Sequence, residues 1–232
     1  MTSGLTTTLR KTLRWMMLPC SAALLCAVAM PASAQAPQTQ NSGNVDSGWI
    51  LSKLAQPAPM RTSFVEVRGS RLLKNPLRLH GEYRRPDDDT LIRDVRSPYA
   101  ETTTIRGDQA TIARAGKPAR TFSMSRAPQL AGMQASFGAL LGGDQRAIAR
   151  DFNVTTEGTR AQWRMQMVPK QAALKQYVRD ITLYGRGSEL RCIETRAARG
   201  DDVQRTLLAS AARSVTATTT AAQLLTLCQQ GR

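Results

Sequence analysis

Segments in which apolar and polar side chains alternate follow one another along most of the chain from Arg61 onward. In one such segment Leu77, Leu79, Gly81 and Tyr83 alternate with charged residues and a histidine, so that one face is apolar and the other polar. A period of two is the pattern of a β-strand with one buried face. The chain therefore predicts a succession of antiparallel strands.

The alternation returns further along the chain, and turn-forming residues separate the segments. The apolar positions of two later segments are Phe122 and Met124, and Trp163, Met165 and Met167. Stretches rich in glycine, proline and aspartate lie between the segments, at 85–89, 106–108, 115–118 and 185–187. This spacing predicts an antiparallel meander of about ten strands.

Helical spacing replaces the alternation early in the chain and again in its middle. Asp46 or Ser47 can cap a first helix, in which Trp49, Ile50 and Leu54 share one face before the prolines at 57–59. A second, amphipathic helix is predicted between Pro128 and the glycine pair at 142–143. Its apolar residues are Leu130, Met133, Phe137, Leu140 and Leu141.

Two further helices are predicted in the second half of the chain. Asp144 can cap a short helix through Ile148 to Phe152, after which we expect the sheet to resume near Arg160. A last helix is expected from about Thr220 to Gln229, and it would carry Leu224, Leu225 and Cys228. No internal repeat or second domain boundary is evident, so residues 47–232 are read as one domain.

A sheet with one apolar face and helices with apolar stripes bury themselves best if the sheet curls and the helices close its mouth. The fold class predicted is α+β, a curved antiparallel sheet that forms an incomplete barrel under a helical lid. Such a sheet encloses either packed side chains or a ligand cavity, and the pattern alone leaves both open. Met124, Met133, Met165 and Met167 favour a cavity, because unbranched thioether side chains adapt to a flexible apolar guest.

The first 34 residues have the pattern of an export signal. Arg10, Lys11 and Arg14 precede an apolar run from Trp15 to Met30, and the small residues 32–34 suit cleavage after Ala34. The run is short for a membrane span of about 20 residues. Cys20 and Cys26 follow proline and leucine rather than the small residues of a lipoprotein signal, so a soluble mature protein is expected. Residues 35–46 are polar and are expected to form a disordered leader.

Charge and cysteine content narrow the partners of an exported protein. The net charge of +15 falls by three on removal of the signal, and this suggests an acidic partner such as lipid head groups, lipopolysaccharide or an acidic protein, but not nucleic acid. A basic surface that is simply solvated explains the charge equally well. Cys192 and Cys228 are the cysteines that remain after cleavage, and in an oxidising compartment such a pair is usually a disulfide.

The sequence offers no constellation of catalytic residues. It has no Gly-x-Ser-x-Gly elbow, no phosphate-binding loop and a single histidine, His80, with no identifiable partner. The three carboxylates Asp87–Asp89 could bind a cation or act as acid and base, but their place after Pro86 favours a solvated turn. We therefore expect a binding protein that is not an enzyme and needs no cofactor or metal.

Several short motifs follow one another along the chain. After an opening helix with Leu51 and Leu54, the motifs are 61–67 (RTSFVEV), 81–86 (GEYRRP), 137–144 (FGALLGGD), 163–170 (WRMQMVPK) and a hairpin from Tyr177 to Thr195. Each motif alone is common, but their order and spacing resemble those of the LolA-like carriers, periplasmic half-barrels with a helical lid that shuttle lipidated cargo from the inner to the outer membrane.

The resemblance implies a function and a site. Arg85 takes the place of the family's inward-pointing arginine, which holds the lid closed, although it could also be an ordinary turn residue. The expected lipid-binding lining is Leu79, Tyr83, Phe122, Met124, Leu130, Met133, Phe137, Leu140, Leu141, Trp163, Met165 and Met167. The partners implied are lipid or lipidated cargo, an inner-membrane transporter as donor and an outer-membrane acceptor, and a monomer is expected.

Two features depart from the standard carrier: the cysteine-bearing helical tail and the strong positive charge. With these features the chain resembles more closely a divergent branch of LolA-related proteins that is linked to fatty-acid-derived lipid synthesis. That resemblance implies an acylated small molecule as cargo. The alternative is a lipid-sensing regulatory or protein-interaction half-barrel of the cell envelope. Such sensors usually carry a second domain, whereas this chain has room for one.

Overall fold

Eleven antiparallel strands form one curved, unclosed sheet. The computed structural model describes residues 45–69, 76–124, 140 and 143–230. The strands are β1 (Met60–Arg68), β2 (Leu77–Arg85), β3 (Thr90–Ser97), β4 (Glu101–Arg106), β5 (Gln109–Arg114), β6 (Lys117–Ser123), β7 (Phe152–Thr159), β8 (Gln162–Pro169), β9 (Val178–Arg186), β10 (Glu189–Ala197) and β11 (Val203–Leu208). They pair in the order β6-β5-β4-β3-β2-β1-β11-β10-β9-β8-β7, so the first and last strands meet in the middle and β6 and β7 form the edges.

Short helices lie among the described residues, and three of them begin at side-chain caps. They are α1 (Ser47–Leu54), α2 (Gln145–Asp151), α3 (Ala172–Lys175), α4 (Ala209–Arg213) and α5 (Ala221–Gln229). The carboxylates of Asp46 and Asp144 accept the amide protons of the third residue beyond them, and Thr220 forms a reciprocal cap with Gln223. The predicted caps at 46 and 144 are therefore confirmed, and the last helix begins directly after Thr220, as expected from the sequence.

The two faces of the sheet pack against different helices. The inner face carries Phe64, Leu79, Met165 and Leu183, which pack with Ile50, Leu51 and Leu54 of α1 and with Ile148 of α2. The outer face carries Val65, Tyr184, Cys192 and Leu207, which pack with Ala211 and Ala212 of α4 and with Leu224 and Cys228 of α5. Both faces of the middle strands are thus buried, which explains why β9 is buried almost throughout.

The disulfide predicted from the cysteine pair is present on the outer face. Cys192 on β10 is bonded to Cys228 on α5, with Cα atoms 5.0 Å apart. It fixes the C-terminal helix against the back of the sheet.

Two expectations about the secondary structure are wrong, and two short helices were not predicted. The last helix does not help to close the mouth of the sheet, because its buried stripe packs on the outer face. The sheet resumes at Phe152 rather than near Arg160, since β7 is an edge strand whose outward residues are polar. Helices α3 and α4 were not predicted, because with 4 and 5 residues each is too short to show a helical period.

Several expectations lie outside the described residues. These are the export signal, nearly all of the leader, and the second predicted helix except for Leu140, which is helical and buried.

Candidate functional site

A cavity of about 230 Å³ lies on the inner face where α1 ends. Its walls are the end of α1, Leu140 and one end of the strands β1, β2, β3, β10 and β11. The apolar lining residues are Leu54, Met60, Tyr83, Leu91, Leu140, Leu190, Leu208 and Ala209. The polar ones are Gln56, Arg61, Thr62, Ser188 and Glu189. A mostly apolar wall with a few polar groups is the usual composition of a site for an apolar ligand.

The strand register explains why apolar groups converge there. Met60, Thr62 and Phe64 alternate on β1, and Thr62 pairs with Tyr83 on β2, which places the tyrosine on the inner face. Phe64 pairs with Leu208 on β11 and extends the same face across the middle of the sheet. The ring centroids of Phe64 and Tyr83 are 4.7 Å apart, so Phe64 packs against the tyrosine that lines the cavity.

The aromatic rings of Phe64 and Trp163 each fit on the inner face because the neighbouring strand has a glycine there. A Cβ added to Gly81 would lie 2.7 Å from the Phe64 ring, and one added to Gly185 would lie 2.0 Å from the Trp163 ring. Both distances are far below van der Waals contact, so each ring lies directly against a glycine backbone.

Arg85 ends β2 beside the cavity. One guanidinium nitrogen donates to the carbonyl of Gln56, 2.7 Å away in the segment after α1, and another is 2.7 Å from the Asp88 carboxylate. The Arg85 side chain is 12% exposed. It therefore ties the end of β2 to the segment that leaves α1, and Gln56 itself lines the cavity.

The predicted lining residues fall into four groups. Tyr83 and Leu140 line the cavity. Leu79, Trp163, Met165 and Met167 are buried in the inner-face cluster beneath α1 and α2. Phe122 and Met124 pack with Ile105 and Ala110 in a separate cluster toward the β6 edge. Leu130, Met133, Phe137 and Leu141 lie outside the described residues.

Other lining residues were missed by sequence reasoning. Met60 lies one residue before Arg61, where the predicted alternation begins. Counting back by two from Phe64 places Met60 on the inner face. Leu208 and Leu190 adjoin a helix start and a strand irregularity, where the period of two is interrupted. Leu54 was assigned to a buried helix face, but the pattern did not indicate that this face meets a cavity.

A buried group of charged residues lies on the inner face next to the cavity wall. Glu66 is 1% exposed and Arg93 is 8% exposed. A guanidinium nitrogen of Arg93 lies 3.0 Å from one Glu66 oxygen, and Arg68 pairs with the other. Arg93 also donates to the hydroxyl of Tyr83 and lies over the Phe64 ring, 4.9 Å from its centroid.

The environment of these groups alters their proton affinity. Burial, and next the negative charge of Glu66, raise the pKa of Tyr83 to about 12, so its hydroxyl stays protonated at neutral pH. Burial alone would lower the pKa of Arg93, but Glu66 and Tyr83 raise it above its ordinary value. Arg93 is thus a permanent cation that is paired with Glu66 within a mostly apolar face.

The other titratable residues considered from the sequence, Asp87, Asp89 and His80, are more exposed to solvent than Glu66 and Arg93. Asp87 and Asp89 lie in the exposed turn after β2, where a hydrogen bond from Thr90 is the main cause that lowers the pKa of Asp87. His80 pairs with the outer-face residue Val65, and burial and Arg78 lower its pKa. Within the described ranges, no three histidine, cysteine or acidic side chains are grouped as metal ligands. The described part of the chain also contains no helix with the length and apolarity to cross a membrane.

Two solved structures are similar to this chain at low sequence identity. No curated protein matches the sequence. A solved structure of a LolA superfamily protein from Nitrosomonas europaea is similar with 9% identity and a TM-score of 0.40, over 72% of this chain and 92% of that one. LprF from Mycobacterium bovis is similar with 12% identity and a TM-score of 0.33, over 73% and 94% of the two chains.

The family assignment comes from the sequence match. The model of the family described as "Outer membrane lipoprotein carrier protein LolA-like" matches residues 39–231, which include all eleven strands and both cysteines of the disulfide. The chain therefore belongs to the LolA-like family of outer membrane lipoprotein carrier proteins.

Proposed function

We propose that this protein is a periplasmic carrier that holds an acyl chain in the inner-face cavity and moves it from the inner to the outer membrane. The observation that carries the proposal is the mostly apolar cavity between α1, Leu140 and the strand ends. Transfer of an alkyl chain into such a site is favourable by about 0.8 kcal/mol for each buried CH₂ group. No covalent chemistry is needed.

The size of the cavity decides how loading proceeds. A volume of about 230 Å³ is below the roughly 300–1,000 Å³ of pockets that enclose drug-sized ligands. In this state the cavity accommodates part of a lipid chain, and a whole lipid enters only if a wall moves. Leu140 and Gln56, in the segment after α1, are among the walls that do not belong to the sheet, and we assign the opening to them.

The direction of transport follows from relative affinity. A donor in the inner membrane loads the open form, closure keeps water from the chain in transit, and an acceptor in the outer membrane binds the cargo more tightly. The export signal read from residues 1–34 supports the periplasm as the compartment. The cargo is either a lipoprotein or a fatty-acid-derived lipid, carried by a monomer that is not an enzyme.

The test is uptake of dodecanol, an uncharged single-chain ligand, measured by isothermal titration calorimetry. Leu140→Glu places a charge in the cavity wall and should abolish uptake. Leu225→Glu is the matched control, since Leu225 is 38% exposed on α5 at the outer face. Equal uptake by two folded variants would contradict the assignment of this cavity.

A further inference from the structure

Burying the ion pair of Glu66 and Arg93 on the inner face costs desolvation free energy that packing alone does not offset. Glu66 and Arg93 come from strands that flank β2, and both side chains face the apolar cluster. Removing two charges from water usually costs as much as their attraction returns, and apolar side chains of similar size would stabilise the same place equally well. A charged pair at this place is therefore better explained by a function than by a contribution to stability.

The charges in this group do not balance. Two guanidinium groups, of Arg68 and Arg93, share the single carboxylate of Glu66. No other carboxylate is recorded in an ion pair with either arginine in the described ranges. The undescribed parts of the sequence contain no aspartate or glutamate at all, so they supply no further side-chain carboxylate. One positive charge is in excess.

Of the two cations, Arg93 is the buried one and lies one side chain away from the cavity, whereas the Arg68 side chain is 45% exposed. Tyr83 forms part of the cavity wall and also accepts a hydrogen bond from Arg93. Phe64 contacts both, through the Tyr83 ring at 4.7 Å and the Arg93 guanidinium at 4.9 Å. The cavity is thus apolar over most of its wall, with a cation and a protonated hydroxyl behind one side.

We propose that Arg93 and Tyr83 form a subsite for an ionised acid group, so that the cargo is a single-chain amphiphile with a carboxylate or phosphate on its polar end. This inference rests on the proposed carrier function and specifies its ligand class. A guanidinium presents parallel N–H donors that match both acids, and the Tyr83 hydroxyl can donate as well. Glu66 occupies the same guanidinium in the absence of cargo and competes with it.

The test compares ligands of one chain length: dodecanoate, dodecyl phosphate and dodecanol. Calorimetry on the mature full chain, at a pH where the acids are ionised, gives each dissociation constant. We expect at least one acid to bind about tenfold or more tightly than the alcohol, the factor that a charge-assisted hydrogen bond supplies.

Two variants of the same ion pair should change acid binding in opposite directions. Arg93→Met removes the cation, and the preference for the acid should disappear while dodecanol still binds. Glu66→Gln removes the competing carboxylate, and the acid should bind more tightly with dodecanol unchanged. If the pair were only structural, both variants would disturb the same contact and weaken both ligands together.

Controls keep the outcome independent of folding. Arg96→Met is the matched control, because Arg96 is on β3 as well, but pairs with Glu82 on the outer face, with its side chain 66% exposed. If Arg93→Met unfolds by leaving Glu66 unpaired, the double variant E66Q/R93M avoids the buried charge and should lose the acid preference too. Circular dichroism verifies the fold of each variant.

The results separate this inference from the function on which it rests. Equal binding of acids and alcohol by the unaltered protein would overturn the acid subsite and leave the carrier function standing. Failure of all three ligands to bind would overturn the carrier function itself. Tighter acid binding in Glu66→Gln, together with its loss in Arg93→Met, would establish the subsite.

Discussion

Cys192 and Cys228 are bonded across the outer face of the sheet, on the side opposite the cavity. The bond closes a loop with a sequence separation of 36 residues and holds α5 on β10 and β11. The covered surface is where Val65, Tyr184 and Leu207 would otherwise be exposed to water. The disulfide therefore stabilises the back of the sheet and takes no part in the cavity wall.

Removal of this disulfide should lower stability without changing ligand binding. For the double variant Cys192→Ser/Cys228→Ser, loop-closure entropy predicts a loss of about 3–4 kcal/mol in the free energy of unfolding. Urea denaturation measures the loss, and dodecanol titration of the folded variant measures binding. A large loss of affinity in the folded variant would show that the outer face and the cavity are coupled.

Gly185→Ala should disturb the inner face, because the new methyl group would overlap the Trp163 ring. The indole nitrogen of Trp163 donates to the carbonyl of Gly187 at 2.9 Å, so the ring is held on both sides. We expect destabilisation of about 1–3 kcal/mol and a shift in tryptophan fluorescence. Gly107→Ala is the control, since Gly107 also adjoins a hairpin turn, but a Cβ there meets nothing within 4 Å. Its positive φ of 56° adds a strain that leaves the indole untouched, so an unshifted spectrum is expected.

Arg85→Met should speed the release of bound ligand. The variant loses the donor to the Gln56 carbonyl, which ties a cavity wall to β2. This hydrogen bond from a charged group is present only in the closed state. Its loss should therefore shift the equilibrium between the closed and open states toward the open state by about tenfold. Stopped-flow displacement of dodecanol measures the rate. Arg84→Met is the control, because Arg84 pairs with Asp94 on the outer face. Equal release from both variants would contradict the role assigned to Arg85.

Tyr83 should make stability depend on pH in the alkaline range. Its pKa is raised from 10.0 in the reference state to about 12 in the folded protein. The contribution is therefore fully present below pH 10 and is lost as the pH rises toward 12, because the unfolded state ionises first. A shift of this size corresponds to about 2–3 kcal/mol.

The measurement is urea denaturation across this pH range for the unaltered protein and for Tyr83→Phe. The variant cannot ionise at this position, so its loss of stability should be smaller by that amount, while other titrating groups affect both proteins alike. Parallel profiles would mean that Tyr83 is not buried beside Glu66 as described.

The alternation of side chains predicted the sheet well because each strand of the inner face has its own period of two. Leu79 and Tyr83, or Met165 and Met167, reveal their common face without reference to another strand. The class of fold follows from these local patterns. The same reasoning predicted the caps at Asp46 and Asp144, since a helix cap depends on residues three positions apart.

Relations between distant strands could not be predicted in this way. Glu66 and Arg93 read as ordinary polar positions, and only the registers of β1 with β2 and of β2 with β3 bring them together. The stripe of Leu224 and Cys228 shows that α5 is buried, but a stripe does not say which face of a sheet it covers. For the same reason Tyr83 and Leu140 are the only described residues of the expected lining that border the cavity.

The most direct test of the carrier function is native mass spectrometry of the mature protein purified from its own periplasm, followed by extraction of the bound molecules. A carrier should show a mass above that of the bare chain and release an acyl compound or lipidated peptide, with an acidic head group if Arg93 and Tyr83 form the acid subsite. A bare chain that takes up neither dodecanol nor dodecanoate would contradict the carrier function.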